Sequence, residues 1–243
     1  MRRYRPAAVE YSFGPGPVTP AVKAIILANI AVFIVSQFYD PIIRYLGVVP
    51  QDVLTRGWLW QLATYMFLHA SPLHILFNML GIWMFGVELE RMWGTRFFAR
   101  FYAVTGLGAG ATVVLASLLP YEPLRLTYTA ITIGASGALY GILMAFAMYF
   151  PHRPILMFLL FPVPAKYFVM ILGALALWFS PGSAVSNSAH LGGLIFGYFY
   201  LKGRGGRLTA ELKYRYLKWR MNRLRRKFDV YSGGRSDWDR NIH

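Results

Sequence analysis

The sequence predicts an all-α fold: a polytopic membrane protein built as a bundle of six transmembrane helices, with both termini cytoplasmic. Three observations carry that expectation. Hydrophobic residues make up 56% of the 243 and charged residues only 14%, a balance too apolar for an ordinary soluble surface. The apolar residues fall into six long runs separated by segments rich in Pro, Gly and charge. Of the 25 Lys and Arg, only Arg44, Arg56 and Arg125 fall on one side of the topology that six spans create. The positive-inside rule then puts both termini in the cytoplasm, with the chain in the cell membrane.

Taken in order, residues 1–21 hold three Arg, four Pro and two Gly and read as a cytoplasmic N-terminal tail. Residues 22–203 form the membrane core. The first span is Val22 to Phe38, about 17 residues, at the short end of what crosses a bilayer. Residues 40–58 read as a long, partly interfacial loop, with Trp58, Trp60 and Tyr65 at headgroup depth. The second span runs from Leu73 to Val87, where Glu88, Glu90 and Arg91 are expected to end it. The third, Phe97 to Leu119, carries Gly106, Gly108 and Gly110 as a flat face for helix packing. After a loop, the fourth starts near Ser136 and ends at Phe150, short enough that its top is expected below the membrane surface. Residues 151–166 read as an apolar, Pro-rich connection. The fifth and sixth spans are Tyr167 to Phe179 and Ala189 to Leu201.

Residues 204–243 are a basic cytoplasmic tail in which Leu217, Met221, Leu224 and Phe228 recur at helical spacing. Two readings stay open there: a solvated tail that fixes topology, or an amphipathic helix on anionic lipid. Nucleic acid is not expected as a partner despite the net charge of +15, because no recognised binding module surrounds the charges. The absence of cysteine removes disulfides, thiol chemistry and Cys-ligated metal. No His-Glu-x-x-His is present, which disfavours a zinc protease, so no metal or other cofactor is expected. A cleaved signal peptide is not expected either, since no small-residue cleavage site follows the first apolar run before Asp40.

The chemistry concentrates in Gly134-Ala135-Ser136-Gly137-Ala138-Leu139-Tyr140-Gly141, where a hydroxyl stands between glycines in apolar sequence. The fourth and sixth spans both run from outside to inside, so Ser136 and His190 come to similar depth. His74 and Asn78, near the outer end of the second span, arrive there too, as does His69 just before it. Polar groups at membrane depth are costly unless paired, so their convergence marks a candidate site. Gly137-x-x-x-Gly141 and Gly193-x-x-x-Gly197 let the fourth and sixth helices approach closely. A histidine within reach of a serine is the minimum for an activated nucleophile. His74 and Asn78, one turn apart, and the free N–H groups at the top of the fourth helix supply oxyanion donors. Tyr140 lies one turn below Ser136 and is expected to stack on the imidazole. No acidic residue is placed to orient His190, so the reading is a Ser–His dyad. Each piece alone is explained by helix packing or inter-helix hydrogen bonding; what lifts the joint reading is the common depth. A small transporter is disfavoured, since no internal repeat or mid-span charge is found.

These residues closely resemble the rhomboid intramembrane serine proteases over about residues 22–203. Gly134-Ala135-Ser136-Gly137 looks like the nucleophile motif and Ser188-Ala189-His190-Leu191-Gly192-Gly193 like the histidine motif. His69 with His74-Ile75-Leu76-Phe77-Asn78 looks like the signature of the second span, Tyr140 matches the residue stacked on the histidine, and the segment from Glu88 to Gly94 is also family-like. The six-span form with a basic tail resembles prokaryotic members. The resemblance implies cleavage of single-span membrane proteins near the outer face, with Ser136 as nucleophile, His190 as general base and acid, and His74, Asn78 and the Ser136 backbone at the oxyanion. It also implies that residues 180–188 cap the site and that the fifth span borders substrate entry. A non-catalytic rhomboid-like protein that binds or escorts membrane clients is the alternative, but such relatives generally lack the serine or the histidine. One departure is Trp60-Gln61, where many members carry Trp-Arg.

Overall fold

The structure, a computed structural model, describes residues 14–157, 161–178 and 184–203. The basic tail, with its lipid reading, and residues 180–183 of the expected cap lie outside the described residues. The chain divides into two compact units after Tyr200. The fold described here is that of the first; only the last turn of its final helix belongs to the second.

Helix α1 spans Pro20–Ser36, opening on a proline whose fixed φ suits the first helical position. Three short helices follow, α2 (Pro41–Leu46), α3 (Pro50–Arg56) and α4 (Gln61–Thr64), the last extended by a 3₁₀ turn over Tyr65–Phe67. The expected long loop is thus largely helical, with Pro beginning α2 and α3 and Gly57, at φ 69°, ending α3. Helix α5 (Pro72–Gly81) continues through a π-helical stretch, Ile82–Gly86, into α6 (Val87–Trp93). Helix α7 covers Thr95–Ala116. The segments Pro72–Trp93 and Thr95–Ala116 are each 22 residues and apolar enough to cross a membrane. After α8 (Glu122–Arg125) come α9 (Ser136–Tyr149), α10 (Ala165–Trp178) and α11 (Ala184–Gly203).

The structure corrects four sequence expectations. The second apolar helix does not stop before Glu88 but runs on to Trp93. Its charges are answered at a distance. Glu90, buried at 2% exposure, accepts from the Ala21 and Val22 N–H groups and from the hydroxyls of Thr19 and Thr95. It therefore caps the orphan donors of α1 across nearly 70 residues of sequence. Glu88 pairs with Arg153. Second, residues 151–166 hold an antiparallel hairpin, β1 (Pro154–Met157) with β2 (Phe161–Pro164), so the all-α description gains one small sheet. Third, Tyr65 is not an exposed interfacial anchor: it is 1% exposed, and its hydroxyl donates to the Gly106 carbonyl at 2.8 Å. Fourth, α11 begins five residues earlier than expected, so His190 lies in its second turn rather than at its start.

Helix α9 packs against both α7 and α11, which also touch each other where Gly192 meets Thr112 and Gly108 meets Phe196. Its glycines make that possible. A Cβ on Gly141 would lie 2.6 Å from Cβ of Thr105 on α7. A Cβ on Gly197 would lie 3.0 Å from the Gly141 Cα, and one on Gly193 would collide with the Gly137 carbonyl. The α9 and α11 backbones are therefore in direct contact.

Candidate active site

The chain enters α9 through Gly134, whose φ of 122° an L side chain rarely adopts. A Cβ there would also lie 2.9 Å from the imidazole of His74. The Gly134 N–H donates to the Tyr65 carbonyl at 2.9 Å, which ties the segment before Ser136 to the 3₁₀ turn. Helix α9 then starts at Ser136 with no side-chain cap. The N–H groups of its first three residues have no partner within the helix, and Ser136 and Tyr140 from its first two turns line a cavity.

That cavity is about 370 Å³ and is lined by Ser136, His190, Tyr140, His74 and Asn78, with Leu73, Phe77, Ile133 and Leu139 supplying apolar wall. The Ser136 Oγ lies 2.8 Å from the His190 Nε2. The Tyr140 ring stacks on the His190 imidazole, 4.2 Å between centroids and 10° between planes. Stacking leaves the imidazole two directions in its own plane, and one is occupied by Ser136. Its Nδ1 has no hydrogen-bond partner among the described residues. For Nε2 to accept the serine proton, the neutral ring must carry its hydrogen on Nδ1.

The second wall comes from α5. Ser71 caps that helix by accepting from the His74 N–H at 3.2 Å. The Ala70 N–H points to His74 Nδ1 at 3.3 Å, so the neutral His74 ring carries its proton on Nε2, the nitrogen turned toward Gly134. Asn78 uses one side-chain N–H on the His74 carbonyl at 2.9 Å, while its buried Oδ1 is unpartnered among the described residues. The second N–H of that amide is left for the cavity. His69, 2% exposed, does not line the cavity; its ring meets His74 edge-on at 4.9 Å between centroids.

Three residues that tie elements of this fold together were not singled out from sequence as doing so. Tyr65 supports Gly134 through its carbonyl and lies under the glycines of α7 and α9: Cβ atoms on Gly110 and Gly137 would each meet its ring or hydroxyl at 3.0 Å. Gln61, fully buried, accepts from the Val49 N–H at 3.0 Å and donates to the Arg44 carbonyl at 3.0 Å. It ties the α2–α3 segment to α4, and the only sequence signal for it was the departure at Trp60-Gln61. Glu90 is the third.

The chain matches the Rhomboid domain family over residues 56–205, more than half of its length. It is 38% identical over 139 residues to Rhomboid protein 1, mitochondrial, of Saccharomyces cerevisiae, covering 55% of this chain and 38% of that one. It is 34% identical over 155 residues to Rhomboid protease GluP of Bacillus subtilis, covering 63% and 27%. It is 28% identical over 198 residues to Rhomboid protease AarA of Providencia stuartii, covering 71% and 68%. The chain belongs to the rhomboid family, a family of membrane proteins that includes proteases. It spans 27% to 56% of the length of the first three curated relatives.

Proposed function

We propose that this chain is an intramembrane serine endopeptidase acting through a Ser136–His190 dyad. The single observation that carries the reading is the 2.8 Å contact between Ser136 Oγ and His190 Nε2 with Tyr140 stacked on the imidazole. His190 Nε2 takes the serine proton as Oγ attacks the scissile carbonyl carbon. The resulting oxyanion is held by His74 Nε2–H, the free Asn78 N–H and the first-turn N–H groups of α9. As the tetrahedral intermediate collapses, the C–N bond breaks and His190 returns the proton to the leaving amine, giving an acyl-enzyme. Water then attacks the ester carbonyl as His190 takes its proton, and as the C–Oγ bond breaks His190 returns that proton to Ser136, releasing the product acid. No metal or organic cofactor enters any step.

The substrates proposed are single-span membrane proteins cut near the outer face. The core would be six-spanned in the cell membrane, with both termini cytoplasmic and the cavity opening outward; the distribution of Lys and Arg supports that orientation. The test is purified protein in detergent with a single-span substrate. Cleavage is expected, and Ser136→Ala should abolish it; retained cleavage in that variant would remove Ser136 as nucleophile. A fluorophosphonate should label Ser136 and fail to label His190→Ala, and undiminished labelling there would remove His190 as base.

A further inference from the structure

We propose that Arg44 and Arg56, bridged by Asp52 beside Tyr45, Trp58 and Trp60, form a binding site for the phosphate of an anionic phospholipid headgroup. Asp52 on α3 has 1% of its side chain exposed. Arg44 of α2 reaches it at 3.1 Å and Arg56, one turn along α3, at 3.4 Å. Both arginines are half exposed, at 51% and 55%. Two cations on one anion leave unit positive charge, and the three contacts with Asp52 leave most of the ten guanidinium N–H donors unused. Arginine forks match phosphate oxygens two at a time.

The surroundings fit a lipid rather than a soluble anion. The Arg56 guanidinium lies over Trp58, 5.3 Å from the ring centroid. Trp58 stacks on Trp60 at 5.4 Å, and Tyr45 meets both at 5.5 and 5.3 Å. The Trp60 indole N–H donates to the Tyr45 carbonyl, fixing the cluster. Leu54 and Leu59, on the same segment, are 47% and 64% exposed. Exposed leucines, an indole pair and a cation together describe the headgroup boundary, where tryptophan and tyrosine concentrate. The charge distribution sharpens the point. Only three of the 25 basic residues lie on this side of the expected topology, and two of them converge on one carboxylate. The proposal rests on the membrane orientation above only for assigning the site to the outer leaflet.

The test reads lipid retention by native mass spectrometry of full-length Ser136→Ala protein, released from bilayers of equal phosphatidylglycerol and phosphatidylcholine. The parent should hold phosphatidylglycerol in preference, and Arg44→Gln/Asp52→Asn/Arg56→Gln, which leaves no uncompensated buried charge, should hold one fewer. Equal retention by the two proteins, or no preference between the lipids, reduces the cluster to a clamp between α2 and α3 and overturns the proposal. Displacement of the lipid by millimolar inorganic phosphate would likewise overturn it, by assigning the site to a soluble anion. Should the triple variant fail to fold, brominated phosphatidylglycerol is expected to quench the parent's tryptophan fluorescence more than brominated phosphatidylcholine, with the difference lost in Trp58→Phe/Trp60→Phe. Equal quenching by both lipids refutes the site. Binding is read in a protein without the nucleophile, so failure of the peptidase proposal and failure of this one give different results.

Discussion

Replacing Gly193 by Ala tests whether the contact between α9 and α11 sets the separation of Ser136 and His190. A Cβ at 193 would lie 2.9 Å from the Gly137 carbonyl carbon and nearer still to its oxygen. These are backbone atoms one residue past Ser136, so no side chain can rotate away. The two helices must part by on the order of 1 Å, and His190, one turn before Gly193 on α11, moves with them; a misplacement of that size costs about 100-fold in rate. Overpacking of this kind costs about 1–3 kcal/mol of stability. Gly197→Ala is the internal control, because its Cβ would meet Gly141 at 3.0–3.1 Å, a tight contact the helices relieve by parting a few tenths of an ångström. The assay is the rate of Ser136 labelling by a fluorophosphonate, with cleavage of a single-span substrate and a thermal melt alongside. Gly193→Ala is expected to lose about 100-fold in labelling while still melting cooperatively, and Gly197→Ala only a few-fold. Labelling of Gly193→Ala within about threefold of the parent would refute the idea that backbone contact sets the dyad.

Three further outcomes follow from the same geometry. His74→Ala removes the Nε2–H donor beside Gly134 and should lower kcat about 100- to 1,000-fold with KM little changed, measured by steady-state cleavage; a change confined to KM would exclude an oxyanion role. Tyr65→Phe deletes the 2.8 Å bond to the Gly106 carbonyl but keeps the main-chain bond to Gly134. It should lower stability by about 1 kcal/mol in a detergent melt while labelling of Ser136 stays near the parent rate. Glu90→Gln puts an amide N–H₂ among four donors and should cost about 1–3 kcal/mol, read as a lowered Tm; an unchanged Tm would show that the carboxylate does not hold α1 in place.

How much of this was legible in the sequence depends on the range of the interaction. Apolar runs and glycine spacing are local, so helices appear at Pro20–Ser36, Ser136–Tyr149 and Ala165–Trp178 near where hydropathy put them. Ser136, His190, His74 and Asn78 could be brought to one depth because alternating direction through a bilayer is a one-dimensional argument. Glu90 was misread as a helix terminator because its partners, Thr19, Ala21 and Val22, are about 70 residues away and offer no periodicity. Tyr65 was read as an interfacial side chain because tyrosine favours the headgroup region, while it is buried against glycines on α7 and α9 that were read only as packing faces. The pairing of residues 154–157 with 161–164 was hidden by Pro154, Pro162 and Pro164, which cannot donate to a ladder but are tolerated in a two-stranded sheet that is all edge.

The backbone contact between Gly137 and Gly193 has a mechanical consequence. Transmembrane helices answer a thicker or thinner bilayer by tilting, and loosely packed helices tilt independently. Here α9 and α11 meet main chain to main chain, with no flexible side chain between them to act as a cushion. If both cross the bilayer as proposed, they are expected to tilt as one strut, keeping the hydroxyl and imidazole at their separation as the membrane changes thickness. Sensitivity to lipid chain length would then reside in how a substrate arrives, not in the alignment of the hydroxyl and the imidazole.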